Sequence, residues 1–377
     1  MKKTIFTLAS LALGLTAMAQ SHQLSGQING LEGGKLVVRL VNEANTDYEK
    51  TDTLMTSNGT FTYDVDGLKG CRRVFLSDAP TAEGARATRV SLYLVEGENL
   101  IVNGTLGNLT EEGSKFYQDK KAGEAALKSY NDKLQALTEE YQTKSEVPGA
   151  DKDKIREEIM KQVNAVANDM EDAAKSYIKS HADEDASVLM CLDLKDAREG
   201  FSMVSNQVKN GKMKSFMDTL TAQLEAQDAR DAQRKEAEKM LQPGMPAPEI
   251  TLNDLDGKPF SLSQLKGKYV IIDWWGSWCI WCIRGIPKMK EYYAKYSDKL
   301  EILGVDCNDT EDKWKDAVKK YELPWKHVYM PRDSKLTATY AIQGYPTKCI
   351  INPDGTINKI IVGEDPKFYD YLDELLK

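Results

Sequence analysis

Cys279 and Cys282 are the two residues whose type and spacing could do chemistry by themselves. Three positions apart, their thiols lie one helical turn from each other, within reach of a shared disulfide. The chemistry is thiol–disulfide exchange, in which one thiolate attacks a disulfide sulfur and the second thiol takes apart the mixed disulfide. A zinc site would need four ligands at recurring spacings. The sequence has no second CxxC and no HxxxH, and His22, His181 and His327 are scattered, so no metal is expected. A purely structural disulfide remains the plainer use of the same pair. Cys71, Cys191, Cys307 and Cys349 are too few and too far apart for a disulfide scaffold, and read as buried small hydrophobes. For Cys307 and Cys349, near strand ends in the same region, an extra resolving role is the alternative.

The elements around the pair give it a position. Lys268 to Trp275 reads as a buried strand, Gly276-Ser277-Trp278 leads off it, and Cys279 to about Tyr296 reads as a helix. That order puts Cys279 at a helix N-terminus, where unpaired backbone N–H groups and the helix dipole stabilise a thiolate. Cys282, a turn later, points inward as the resolving thiol. Strand alternation sends Trp274 to the core, while Trp278 and Trp281 fall at the surface near the sulfurs.

The run Asp273-Trp274-Trp275-Gly276-Ser277-Trp278-Cys279-Ile280-Trp281-Cys282 resembles the thioredoxin active site. Pro287, five residues beyond Cys282, matches that family's helix proline, and Gly344-Tyr345-Pro346-Thr347 resembles its cis-proline loop. The opening Pro246-Ala247-Pro248 through Lys268 is similar to the exported TlpA- and ResA-like subgroup and to the wider AhpC/TSA–redoxin superfamily. So is the long stretch from Cys282 to Pro346, with Glu301–Asp306 as a strand and Thr310–Tyr321 as a helix. The resemblance spans about residues 243–377. It implies Cys279, Cys282 and a buried Asp273 as catalytic groups, with Asp273 taking the Cys282 proton. An acid that merely ends a strand near solvent is the alternative for Asp273. Trp278, Trp281, Tyr345, Pro346 and Thr347 are the substrate-binding candidates. No bound cofactor is implied. The partners implied are protein thiol or disulfide substrates and a membrane redox partner that resets the dithiol, with a homodimer left open. Ile280-Trp281 departs from the Gly-Pro or Glu-Pro usual between the cysteines, and those residues tune the reduction potential. The family therefore does not hand down the direction of exchange. A reductant is expected, and an oxidase or isomerase of the same fold is the alternative.

The rest of the chain frames this module. Lys2 and Lys3, the apolar Ile5–Leu15 and Ala17-Met18-Ala19 read as a cleavable signal over residues 1–19, which implies a soluble periplasmic protein. Removing it leaves 48 basic against 58 acidic residues, which argues against nucleic acid or an anionic membrane as partner. Residues 20–112 read as an antiparallel β-sandwich-like domain, with Val90–Val95 and Leu100–Val102 as one of its hairpins. Residues 113–241 read as helical. Leu127, Tyr130, Leu134, Leu137 and Tyr141 make one apolar stripe, and Ile159, Val163, Val166, Met170, Ala173 and Tyr177 make a second. Three prolines and a glycine in Pro243–Pro248 mark the boundary to residues 242–377. There an α/β thioredoxin-like domain is expected, a mixed central sheet flanked by helices. Two other functions fit less well. A peroxidase would need a Pro-x-x-x-Thr-x-x-Cys setting, missing around Cys279, and a scaffold with a vestigial dithiol would not need Trp278, Pro287 and Pro346 intact.

Overall fold

The computed structural model describes residues 22–78, 88–365 and 367–377. The expected signal at residues 1–19 lies outside the described residues. By contact the chain divides into two compact units between Leu224 and Glu225.

The first unit opens with eight strands, β1 (Leu24–Asn29), β2 (Lys35–Val41), β3 (Tyr48–Met55), β4 (Thr60–Tyr63), β5 (Cys71–Asp78), β6 (Arg89–Val95), β7 (Leu100–Thr105) and β8 (Asn108–Gly113). They form two four-stranded sheets in the orders β4-β1-β7-β8 and β3-β2-β5-β6. Every pairing is antiparallel except β1 with β7, which is parallel. The expected hairpin of Val90–Val95 with Leu100–Val102 is not formed, because β6 and β7 belong to different sheets. Leu92 and Leu94 of β6 and Leu100 and Val102 of β7 all enter the same core, so the turn between them carries the chain across the sandwich. Helices α1 (Lys115–Ser145) and α2 (Lys152–Ser180) follow, broken at Val147-Pro148-Gly149, then the short α3 (Ser187–Met190), α4 (Ala197–Met203) and α5 (Asn206–Asn210). Leu127, Met170 and Met190 join Leu24, Val38 and Leu94 in one hydrophobic core, so strands and helices stabilise each other. Helix α6 (Lys214–Met240) buries only Met217 among its described residues, as its polar composition requires.

The second unit contains β9 (Thr251–Asp254), β10 (Pro259–Ser261), β11 (Tyr269–Trp275), α7 (Ile280–Lys295), β12 (Leu300–Asp306), α8 (Glu311–Lys320) and β13 (Lys326–Tyr329). It ends with α9 (Leu336–Thr339), β14 (Thr347–Ile351), β15 (Ile357–Val362) and α10 (Lys367–Leu375). One seven-stranded sheet runs β10-β9-β13-β12-β11-β14-β15. The central β11 pairs parallel with β12 and antiparallel with β14. Its side chains alternate between two cores. Ile271 and Trp275 meet Cys282, Ile286 and Met289 of α7, while Val270, Ile272 and Trp274 fill the opposite face. Asp273 shares the face of Ile271 and Trp275, and is thereby aimed under α7.

Ile272 is fully buried on the second face. Replacing Ile272 with alanine is expected to cost about 2–5 kcal/mol of unfolding free energy in a denaturant titration, with the dithiol face untouched. A loss well under about 1 kcal/mol would contradict a β11 fixed by packing on both faces.

Candidate active site

The strand-to-helix turn that carries the cysteines is pinned from the end of β12. Asp309 accepts hydrogen bonds from the Ser277 backbone N–H at 2.6 Å and from the Ser277 hydroxyl at 2.7 Å. The indole N–H of Trp278 donates to the Cys307 carbonyl at 2.8 Å. Gly276 makes this approach feasible, since a Cβ there would meet Trp278 Nε1 at 2.5 Å and the Cys307 carbonyl oxygen at 2.8 Å. Burial and the neighbouring Asp309 push the Asp306 carboxyl up to about 8, so it stays a neutral acid at the base of this turn at neutral pH.

Cys279 is the N-cap of α7 and is joined to Cys282 by a disulfide. Burial does not distinguish the two residues, which are 5 % and 7 % exposed. The hydrogen bonding does. Cys279 Sγ accepts from the Cys282 backbone N–H at 3.1 Å, one of the donors left open by the first helical turn. A negative charge on Cys279 is therefore met by a fixed dipole and by the positive end of the helix.

Asp273 lies opposite Lys348 of β14 in the strand register. The residue keeps some surface, but Oδ1 is sealed from solvent and has no hydrogen-bond partner. Burial raises its carboxyl to about 6, with Glu364 adding to the rise and the Lys348 charge opposing it. Lys348 Nζ is bonded to Glu364 Oε2 at 2.7 Å, and the Tyr369 hydroxyl donates to Glu364 Oε1 at 2.9 Å.

Around the disulfide, Trp278, Ile280 and Trp281 are each more than half exposed and form an apolar rim. The Trp278 ring meets Tyr345 edge-to-face at 5.2 Å, and the Arg284 guanidinium lies 4.9 Å from the centre of the Trp281 ring. The Tyr345–Pro346 peptide bond is cis. The Pro346 carbonyl accepts from Gly363 N–H at 2.7 Å. Thr347 is buried, and its hydroxyl donates to the Gly344 carbonyl at 2.7 Å, which places it inside the loop and away from its surface. Trp274 is fully buried.

The four remaining cysteines are free and buried. Burial pushes Cys71, Cys191 and Cys349 up to about 12 and raises Cys307 as well, so all four are neutral thiols. Among the described residues no group of three or more His, Cys, Asp or Glu side chains could hold a metal ion. Sequence reasoning passed over Lys348, Glu364, Tyr369, Ser277 and Asp309. One signal was present, because Lys348 interrupts the otherwise uncharged run Thr347–Ile351, and a lysine buried in a central strand needs a partner.

Fold and site together define the class of thioredoxin-fold thiol–disulfide oxidoreductases. Residues 243–360 match the model of the AhpC/TSA family. A thiol-disulfide oxidoreductase ResA of Bacillus cereus is 39 % identical over 128 residues, covering 34 % of this chain and 73 % of that protein. The thioredoxin-like protein YneN of Bacillus subtilis is 32 % identical over 127 residues, covering 33 % and 73 %. A crystal structure of the thioredoxin domain of a thiol-disulfide oxidoreductase from Bacteroides vulgatus is 31 % identical, with a TM-score of 0.34, over 36 % of this chain and 99 % of that one. The chain belongs to the AhpC/TSA family, and within it is similar to the ResA thiol-disulfide oxidoreductases.

The raised Asp273 carboxyl makes stability depend on pH. Its folded value near 6 lies above the unfolded value near 4, so its stabilising contribution is complete below about pH 4 and disappears as pH rises through 6. In the oxidised protein, Asp273→Asn should therefore raise the unfolding free energy by about 1–3 kcal/mol at pH 8 and change it little at pH 4. Denaturant titrations at both pH values check this, and a difference independent of pH would refute the assignment.

Proposed function

We propose that this protein is an exported, periplasmic enzyme that passes electrons to protein disulfides through Cys279 and Cys282 and acts as a reductant. The observation that carries the reading is the Cys282 N–H donated to Cys279 Sγ at the start of α7, which favours Cys279 as the attacking sulfur. The Cys279 thiolate attacks a substrate disulfide, forming a mixed disulfide and releasing one substrate thiolate. The ionised Asp273 carboxylate takes the proton from Cys282. The Cys282 sulfur then attacks Cys279 Sγ, the second substrate thiolate leaves, and the enzyme is left with its disulfide. Two electrons have passed to the substrate. A membrane redox partner returns them by the reverse exchange.

An extended segment of substrate is bound by the exposed Trp278 and Trp281 rings and by the Tyr345–Pro346 loop. Because the Pro346 carbonyl is engaged by Gly363, Tyr345 is the residue of that loop to contact substrate, with Thr347 holding the loop's shape. Residues 242–377 make up the redox domain. Residues 20–112 and 113–241 serve as a structural or docking region. The steps need one copy of the chain, and a homodimer would add a second dithiol without altering them. Among the described residues no helix is long and apolar enough to cross a membrane.

The reduction potential of Cys279–Cys282, read by tryptophan fluorescence in glutathione or dithiothreitol buffers, is expected near the roughly −270 mV of thioredoxin. A value near the roughly −120 mV of DsbA would make the protein an oxidant or isomerase. The absence of a transition between those limits would leave only a scaffold. Cys282→Ser should accumulate mixed disulfides with substrates on non-reducing gels, and Cys279→Ser should not.

A further inference from the structure

Beneath the first turns of α7, Asp273 is accompanied by two charged residues that the exchange steps above do not use, Lys348 and Glu364. Lys348 and Asp273 face each other across β14 and β11, so their side chains stand side by side on the face under α7. Yet the lysine ammonium is bonded to Glu364, while Asp273 Oδ1 is sealed without a partner. The Lys348 side chain is 3 % exposed and that of Glu364 20 %. The ammonium also lies 5.4 Å from the centre of the Phe368 ring, and Tyr369 fixes the second Glu364 oxygen. The Glu364 carboxyl is seated against α7 at Gly285, where a Cβ would approach it to 2.6–2.9 Å.

We propose that Lys348 and Glu364 are positioning residues for Asp273, Glu364 drawing the lysine ammonium to itself and so denying the Asp273 carboxyl a full counter-charge. The inference rests on the reading in which Asp273 serves Cys282 as a base. With Asp273 protonated, the Lys348 and Glu364 charges cancel, and ionising Asp273 leaves one net negative charge in the cluster. The other groups facing Asp273 do not supply a charge. The disulfide of α7 does not titrate, and Cys349 beside Lys348, Cys307 beyond β12 and Tyr369 of α10 are all raised by burial and neutral. Glu364 thus keeps Asp273 basic enough to receive a proton near neutral pH. Without it, Lys348 would turn to Asp273 and hold it ionised.

The two partners therefore push in opposite directions, which a merely structural role would not do. The test is a carboxyl NMR titration of the oxidised full-length protein labelled at aspartate, with the Asp273 resonance identified by its loss in Asp273→Asn. Glu364→Gln should lower the midpoint by at least about one pH unit, and Lys348→Met should raise it. Gly285→Ala displaces the Glu364 carboxyl while leaving every charge in place and favouring the helix, so it should lower the midpoint even if the other variants fold poorly. An Asp273 midpoint unmoved by Gly285→Ala and Glu364→Gln, or moved the same way by Glu364→Gln and Lys348→Met, overturns the proposal. The titration requires no turnover. Opposite shifts in a protein that reduces no disulfide would uphold the charge coupling and refute the catalytic reading instead.

Discussion

The hydrogen bond from the Cys282 N–H to Cys279 Sγ is the constraint around which the second unit is organised. It exists only if Cys279 caps α7, which requires β11 to stop at Trp275 and the chain to turn within three residues. Gly276 permits the turn, Asp309 holds Ser277, and the Cys307 carbonyl holds Trp278. Each of these contacts comes from the end of β12, the parallel neighbour of β11. Helix, strand and loop therefore meet at one end of the sheet, and the sulfur sits where the open backbone donors of the helix converge.

A second constraint comes from the polar groups buried in the same unit. Asp273 and Asp306 are both raised by burial, but their settings differ. Asp306 is near a second carboxyl and remains a neutral acid under the turn. Asp273 is near a lysine that is already paired, and changes charge close to neutral pH. Titratable groups with values pushed apart in this way can take separate duties. Here one acid stays neutral beneath the turn, and the proposed role of proton acceptor falls to the other.

The first unit has a different logic. Its two sheets and its helices share one hydrophobic core, so strands read as one region and helices read as another are energetically inseparable. Its buried cysteines are inert thiols, and the rim of exposed aromatic side chains belongs to the second unit. The redox chemistry of the chain is accordingly concentrated in its C-terminal third.

Much of the redox site was legible in the sequence because it is local. CxxC spacing, an apolar strand before it and a helix after it are properties of neighbouring residues, and they placed Cys279 at the N-terminus of α7. Alternation along β11 likewise placed Trp274 in the core. What depended on distant parts of the chain was not legible. The residues Val90–Val95 and Leu100–Val102 have the pattern of a hairpin, yet the demand to fill both faces of one core sent them to different sheets. Lys348 and Glu364 are joined by the β14–β15 hairpin, and Lys348 comes beside Asp273 only through the register of β14 on β11. Periodicity records which face a residue occupies, whereas the partner it meets there is chosen by the return of the chain, and only tertiary structure decides that.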